Sequence, residues 1–290
     1  MNILSRLIRK LYVATIGKLI TRREKSRLQS EDDEVLKSLA NVLDAVMQNR
    51  YSYEEKDWIE KIETLRNNLN TSSIRISITD YGAGSQDLNL TAEEMSQGRV
   101  VVRTIGEVCQ SASKPYKWDF LLFKLVRVFR PSVCLELGTA LGISAAYQAA
   151  ACELNRHGRI VTLDGAESLV SLARENFERL GIERGDVVLG RFQDTLQDVL
   201  DENAPIDFVF IDGHHDENAT LTYFRQILPH LSDGAILIFD DISWSRGMER
   251  AWNTIQKDRN LKVSVDLFSV GVCFFTKSTV EKKKYFKIAI

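Results

Sequence analysis

From residue 113 onward the sequence alternates between short apolar runs and amphipathic segments, and this alternation constrains the fold more than any other feature. Runs such as "VCLEL", "IDFVFI" and "AILIF" are apolar throughout, which is typical of parallel strands covered by helices on both faces. Strands are expected at 133–137, 159–163, 186–189, 206–211, 234–239, 262–268 and 271–276, and helices at 142–155, 167–180, 194–201, 217–230 and 246–258. The pattern predicts an α/β fold, a doubly wound Rossmann-like sheet of seven strands with an antiparallel terminal hairpin.

The residues before this sheet are expected to form an N-terminal helical appendage. Residues 1–30 predict a basic amphipathic helix, because residues 1–27 contain eight Lys or Arg and one acid, with apolar residues at helical spacing. Residues 31–112 are expected to form a helical appendage and a connecting or lid segment. Residues 113–290 are expected to form the α/β domain. The basic helix has two interpretations: contact with an anionic membrane or a partner, and packing on its own domain or a second copy.

Two glycine-containing loops compete as the ligand site. The loop in "CLELGTALG", residues 134–142, follows a buried strand and precedes a helix, where open α/β sheets bind ligands. The loop in "ITDYGAGSQ", residues 78–86, follows a strand with alternating polarity and leads to no buried strand. The first loop is therefore expected to hold the cofactor. Tyr81–Ser85 is interpreted as a turn, with closure over an acceptor pocket as the alternative.

The charge of the chosen loop indicates which cofactor it binds. Glu136 precedes Gly138, and a carboxylate there disfavours a pyrophosphate but suits an ammonium group. The loop continues to Gly142, and the amides and hydroxyls of Thr139 and Ser144 suit a carboxylate at the helix start. S-adenosylmethionine carries both groups on its amino-acid tail. Its ribose is expected on a further carboxylate, Asp164, at the end of the next strand.

Three carboxylates follow two later strands of the predicted sheet. Asp212 ends "DFVFID", and Asp240 and Asp241 end "ILIFDD", so all three are expected at the same rim. Converging carboxylates repel one another unless a cation joins them, which predicts Mg²⁺ or another divalent ion that lowers the pKa of an acceptor hydroxyl. The alternative is that one of the last two simply caps a turn. His215, which follows Asp212 closely, is the candidate general base.

Five segments carry a resemblance to a known family: "LELGTALGIS", "RIVTLDGAESLVSLARENFERLG", "GRFQDTL", "FVFIDGHH" and "ILIFDDISWS". On these, the chain from about Ser113 to Thr276 resembles the class I S-adenosylmethionine-dependent methyltransferases, and specifically the metal-dependent small-molecule O-methyltransferases of the catechol and sugar type. The resemblance makes residues 113–290 the methyltransferase domain. It implies methyl transfer to a hydroxyl of a small molecule or sugar with help from a divalent metal.

The resemblance also implies individual roles. Glu136 and Gly138 would line the methionine end of the cofactor, Ser144 its carboxylate, Asp164 the ribose, and Phe192 and Gln193 the adenine. The metal would lie on Asp212, Asp240 and Asp241, although catechol-type enzymes have Asn in place of Asp241. His215 matches the position of the base, a histidine in sugar-type enzymes.

Composition limits the remaining alternatives. No apolar run approaches the roughly 18 residues of a membrane span, so the chain is expected to be cytoplasmic, with peripheral membrane contact possible only through residues 1–27. The α/β portion has no basic stripe, so no nucleic acid is expected as a partner; homo-oligomerisation stays open. Other functions to be weighed are a metal-independent N- or O-methyltransferase, a nicotinamide-dependent oxidoreductase, and a non-catalytic methyltransferase-fold binding protein.

Overall fold

The computed structural model describes residues 16–81, 97–280 and 282–290. The helices are α1 (Ile16–Ser30), α2 (Glu34–Met47), α3 (Tyr53–Asn70), α4 (Ile105–Ala112), α5 (Tyr116–Phe129), α6 (Ile143–Asn155), α7 (Glu167–Leu180), α8 (Phe192–Asn203), α9 (Glu217–Ile227) and α10 (Arg246–Ile255). The strands are β1 (Arg75–Asp80), β2 (Arg99–Thr104), β3 (Val133–Leu137), β4 (Arg159–Asp164), β5 (Gly185–Leu189), β6 (Ile206–Ile211), β7 (Leu231–Phe239), β8 (Leu261–Asp266), β9 (Gly271–Phe275) and β10 (Lys284–Lys287). The predicted α/β class and N-terminal helices are confirmed.

The large sheet has the strand order β10-β8-β9-β7-β6-β3-β4-β5. Strands β3 to β7 run parallel, and β9 is antiparallel to both β7 and β8. The terminal hairpin is therefore present as predicted. The strand count was too low, because β10 adds an eighth strand parallel to β8 in the described chain. This strand is four residues long, which leaves little alternation to detect.

Strands β1 and β2 form a separate antiparallel pair, in which Ile78 lies opposite Val101. The strand around Ile76 and Ile78 was expected, but its partner was not. The intervening glycine turn, residues 82–85, lies outside the described residues. The hairpin packs with Ile78 in the main hydrophobic core, so it is attached to the α/β domain.

The hydrophobic core continues from the N-terminal helices into the α/β domain. Leu39 and Leu43 of α2 and Phe120 and Phe123 of α5 are fully buried in one cluster. A buried ion pair joins Arg66 of α3 to Asp119 of α5. The appendage is thus packed into the same core as the sheet.

The described part of the basic helix α1 packs on the C-terminal strand. Thr21 accepts a hydrogen bond from the backbone N–H of Ala289 at 2.8 Å, and the guanidinium of Arg27 lies 4.3 Å from the ring centre of Phe286. These contacts favour packing on its own domain for residues 21–27; residues 1–15 lie outside the described chain. Within residues 16–81, 97–280 and 282–290, no helix has the length and apolarity needed to cross a membrane.

Candidate active site

The carboxyl ends of β3, β6 and β7 meet at one rim of the sheet. The N–H of Asp212 donates to Leu137 O at 2.9 Å, and the N–H of Asp240 donates to Ile211 O at 3.0 Å. These bonds extend the parallel pairing past the strands and bring their C-terminal residues side by side. The loops that follow these three strands therefore lie close together.

This rim also concentrates unusual backbone. Ala140, His214, His215 and Asp241 have φ values of 45°, 63°, 48° and 50°, in the left-handed region that non-glycine residues rarely occupy. Such conformations each cost on the order of 1 kcal/mol or more and cluster at functional sites. The strained residues mark the loops after β3, β6 and β7 as a candidate site.

Gly138 shows how tightly two of these loops pack. Its φ is +107°, and a β-carbon at this position would lie 2.2 Å from the carbonyl oxygen of Asp212. No other residue type fits without moving the β6 loop. The backbone of Gly138 is therefore left open towards the neighbouring cleft, which it lines.

A cleft of about 700 Å³ opens over this rim. Its floor includes Gly138, Ala140 and Asp164, and its far side includes His215 and Trp244. The hairpin closes another side with Ile78, Asp80, Tyr81, Arg99, Val101 and Arg103. Residues 78–81 of the stretch "ITDYGAGSQ" line this cleft, and the closure of its glycine turn over an acceptor pocket stays a prediction because residues 82–86 lie outside the described chain.

Asp164, Phe192 and Gln193 all line the cleft, as expected for ribose and adenine contacts. Asp164 accepts hydrogen bonds from the N–H groups of Ala140 at 2.8 Å and Ala166 at 2.9 Å. Burial raises the pKa of this carboxyl, while those backbone donors lower it. Asp164 is thereby held rigidly at the end of β4, with its side chain at the cleft.

Glu136 does not line the cleft, which corrects the expectation that it binds an ammonium tail. Its side chain is fully buried and accepts hydrogen bonds from Ser144 at 2.9 Å, from Thr162 at 3.3 Å and from the amide of Gln148. Burial raises the pKa of Glu136 to about 8. The side chain lies beneath the floor, where burial favours its neutral form, because strand β3 turns it towards α6.

Three other loop residues also face away from the cleft. Thr139 is buried and shares a hydrogen bond with Thr162 at 2.7 Å, while Ser144 donates to Glu136. Gly142 is the N-cap of α6, and a β-carbon there would lie 3.2 Å from Ala173 and from Phe177. These residues shape the loop from within, and none of the three lines the cleft in which direct cofactor contacts were predicted for them.

Two of the three carboxylates, Asp212 and Asp240, pair with a lysine, and the third, Asp241, lies 4.0 Å from His215. The ammonium Nζ of Lys114 lies 2.9 Å from Asp212 Oδ1 and also donates to Asp240 Oδ2. Burial alone would lower the pKa of Lys114, but Asp212, Asp240 and Asp241 raise it well above its usual value. The lysine is therefore charged and neutralises part of the cluster.

A divalent metal does not fit this arrangement. Among the described residues, no group of three or more His, Cys, Asp or Glu side chains is placed to hold a metal ion. One oxygen of each carboxylate, Asp212 Oδ1 and Asp240 Oδ2, already pairs with the ammonium group of Lys114. The predicted metal site on Asp212, Asp240 and Asp241 is thus replaced by an ion-pair cluster, and no step below uses a metal.

His215 lies at the cleft edge beside this cluster. Its Nε2 is 3.8 Å from Asp212 Oδ1 and 4.0 Å from Asp241 Oδ2, and its ring centre is 5.7 Å from that of Trp244. Burial lowers the pKa of His215, and the nearby charge of Lys114 lowers it further, against the opposite effect of Asp241. A neutral imidazole at this place can accept a proton.

Sequence reasoning missed Lys114 and the hairpin arginines. Lys114 stands in "SASKPYKW", between two helices and outside every motif that suggested chemistry. Tyr81 belongs to the glycine stretch that was set aside. Trp244, just past the carboxylate pair in "FDDISWS", also lines the cleft.

Comparison with known proteins identifies the domain that carries this cleft. Residues 135–242 match the family profile described as a methyltransferase domain. This part of the chain is a methyltransferase domain. The match includes the Gly138 loop, Asp164, and the Asp212 and Asp240 strand ends. A search of curated proteins gives no significant match.

Solved methyltransferases share the fold. The O-methyltransferase TomG from Streptomyces achromogenes, in complex with S-adenosylmethionine, has 22% sequence identity and a TM-score of 0.51, covering 57% of this chain and 82% of its own. The S-adenosylhomocysteine-bound methyltransferase PaMTH1 from Podospora anserina has 15% identity and a TM-score of 0.53, covering 86% of this chain and 98% of its own. The predicted class I methyltransferase fold is confirmed.

The neutral Glu136 beneath this domain's cleft makes a testable contribution to stability. The folded state keeps a proton that the unfolded chain loses near pH 4.5, so the free energy of unfolding falls as pH rises from about 4.5 to about 8. Glu136→Gln cannot ionise. The free energy of unfolding of this variant minus that of the wild type should rise by on the order of a few kcal/mol from pH 5 to pH 8.5. Urea unfolding of both proteins at the two pH values measures this difference.

The matched control is Glu178→Gln, an exposed glutamate on α7, which should leave the pH profile unchanged. Parallel profiles for the wild type and Glu136→Gln would show that Glu136 is ionised in the folded protein.

A neutral Glu136 is also consistent with Gln148, whose Oε1 lacks a hydrogen-bond partner among the described residues and could accept the carboxyl proton.

Proposed function

We propose that this chain transfers a methyl group from S-adenosylmethionine to a hydroxyl group of a small molecule or sugar. One observation carries the proposal: a single cleft joins a fixed carboxylate at the end of β4, Asp164, to a neutral imidazole after β6, His215. The first group suits a ribose, and the second suits removal of a proton from an acceptor. A nucleotide-binding protein without chemistry has no need of the second group.

The residues of the cleft fit S-adenosylmethionine. Asp164 offers carboxylate oxygens for ribose hydroxyls, and Gly138 leaves its backbone open to the amino-acid end. Phe192 packs edge-on against His214 and Tyr223 with ring centres 5.6 Å apart, which provides an aromatic border for adenine. When bound, the cofactor supplies an electrophilic methyl group on a sulfonium.

The chain's part in the reaction is to orient the acceptor and remove its proton. His215 would take up the hydroxyl proton of the acceptor at Nε2, so that the acceptor oxygen could act as the nucleophile for the methyl group that the cofactor would supply. The carboxylates of Asp212 and Asp241, 3.8 Å and 4.0 Å from that nitrogen, stabilise the resulting imidazolium. Asp212 is thus proposed to act in catalysis as a partner of the base.

The acceptor side of the cleft favours a planar or ring-shaped substrate. Trp244 lines it next to His215, and the β2 side chains Arg99, Val101 and Arg103 lie along the hairpin wall. An aromatic face stacks on planar rings and on the apolar faces of sugars.

Four further expectations from the sequence stay predictions. They are a cytoplasmic location, contact of residues 1–27 with a membrane, homo-oligomerisation and the lack of a nucleic-acid partner.

The test is formation of S-adenosylhomocysteine from S-adenosylmethionine with a panel of acceptors: catechols, hydroxycinnamates and hexose glycosides. We expect acceptor-dependent turnover with at least one class, and isotope from the labelled methyl group on the acceptor oxygen. Methyl transfer to an amine alone would favour the N-methyltransferase alternative. A protein that binds S-adenosylhomocysteine but turns over with none of these acceptors would contradict the proposed chemistry.

A further inference from the structure

Lys114 occupies the centre of the acidic cluster. Its side chain is 14% exposed, and the partners Asp212 and Asp240 are 9% and 3% exposed. An ammonium group has three N–H donors, and two of them go to these carboxylates in the described structure. The third donor can serve a group in the cleft, which Lys114 lines together with His215.

The position of Lys114 is fixed from its backbone as well. The residue lies between α4 and Pro115, the N-cap of α5. Its carbonyl oxygen accepts a hydrogen bond from the largely buried guanidinium of Arg66 at 2.7 Å. This hydrogen bond to the backbone and the ion pairs of the side chain together hold the ammonium group at a defined point.

Charge balance explains why a lysine and a metal exclude each other here. A magnesium ion bonded to Asp212 and Asp240 would lie about 2.1 Å from their oxygens, within a few ångströms of the Lys114 ammonium. Two cations at that separation repel strongly in a buried site. With Lys114 in place, the carboxylates are held together and the site already contains a positive charge.

We propose that Lys114 is a built-in cation that replaces a divalent metal in this active site. It fixes Asp212 and Asp240, and its remaining N–H donates to the acceptor oxygen while His215 removes the proton. The developing negative charge on that oxygen is stabilised by a fixed ammonium group. The enzyme is therefore a metal-free methyltransferase, an inference that rests on the function proposed above.

The first test measures metal binding alone, so that it does not depend on turnover. Wild-type protein freed of metal with EDTA should show no stoichiometric Mn²⁺ binding by electron paramagnetic resonance. Lys114→Ala, which leaves the carboxylates unpaired, should gain a Mn²⁺ site. Stoichiometric Mn²⁺ binding by the wild type would overturn the proposal even if methyl transfer had been demonstrated.

The second test measures kcat with the acceptor that gives the highest turnover in the panel. Wild-type activity should be unaffected by EDTA, while Lys114→Met, similar in shape but uncharged, should lose about 100-fold in kcat. Lys117→Met, three residues along the chain, is the matched control and should retain activity. Chelator-sensitive wild-type turnover, or full kcat in a folded Lys114→Met, would refute the role of Lys114.

The two tests also separate this inference from the proposed function. If the wild type transferred no methyl group to any acceptor, the proposed function would fail, while the Mn²⁺ comparison would still decide whether Lys114 fills a metal position. If Lys114→Met failed to fold, the chelator and Mn²⁺ experiments on the wild type would decide alone.

Discussion

Replacing Asp164 by alanine should weaken S-adenosylhomocysteine binding by about 100-fold or more. Hydrogen bonds to a charged group contribute about 1.5–3 kcal/mol each, and a ribose offers two hydroxyls. The side chain also fixes the N–H groups of Ala140 and Ala166, so the variant loses pre-organisation of the Gly138 loop as well. Isothermal titration calorimetry measures the effect directly.

Two further variants distinguish ribose binding from loop support. Asp164→Asn loses the charge but keeps one of the two oxygens that accept from the backbone N–H groups of Ala140 and Ala166, and it should give an intermediate affinity. Asp186→Ala removes an exposed carboxylate of the adjacent strand β5, which pairs with Arg159 outside the cleft, and should bind normally. Wild-type affinity in a folded Asp164→Ala would show that the ribose lies elsewhere.

Replacing His215 by glutamine should lower kcat by about 100- to 10,000-fold, the range that a general base contributes. The glutamine cannot take up the acceptor proton, but it keeps a polar group near Asp212 and Trp244. The affinity for S-adenosylhomocysteine should therefore change little. Because the pKa of His215 is lowered, the wild type should keep its activity to below pH 6.5 and lose it on further acidification.

Substitutions of two other histidines, His214 and His157, serve as controls for His215→Gln. His214 contacts Tyr223 through Nδ1 at 3.1 Å and borders Phe192, so His214→Gln should raise the KM for the cofactor more than it changes kcat. His157 lies at the opposite end of β3 beside Ser132, and His157→Gln should have no effect. Undiminished kcat in His215→Gln, with the acid limb of the pH profile unmoved, would remove this residue from the mechanism.

Strand ends were the part of the site that the sequence predicted well. Apolar runs locate parallel strands, and the residues after them must gather at one rim, as Asp164, Asp212 and Asp240 do. The direction of individual side chains inside the glycine loop was not predictable in this way. Glu136 precedes Gly138 along the chain, but pleating turns it towards α6 and away from the ligand.

The elements outside the repeating pattern were harder to place. Lys114 is distant in sequence from its partner Asp240, and the bond between them depends on how α5 packs. In the sequence, strand β2 is only a short run of valines with no neighbouring strand pattern. In the structure, Val100 and Val102 of this strand are exposed. Such contacts follow from tertiary packing, which single-sequence periodicity does not encode.

Arg66 connects helix α3 to the active site through the backbone of Lys114. One guanidinium binds both the Asp119 carboxylate and the Lys114 carbonyl, so a shift of the helix in response to a bound partner would displace the ammonium group. Helix α3, which precedes the methyltransferase domain in the chain, therefore helps to fix the position of a charge that lines the cleft.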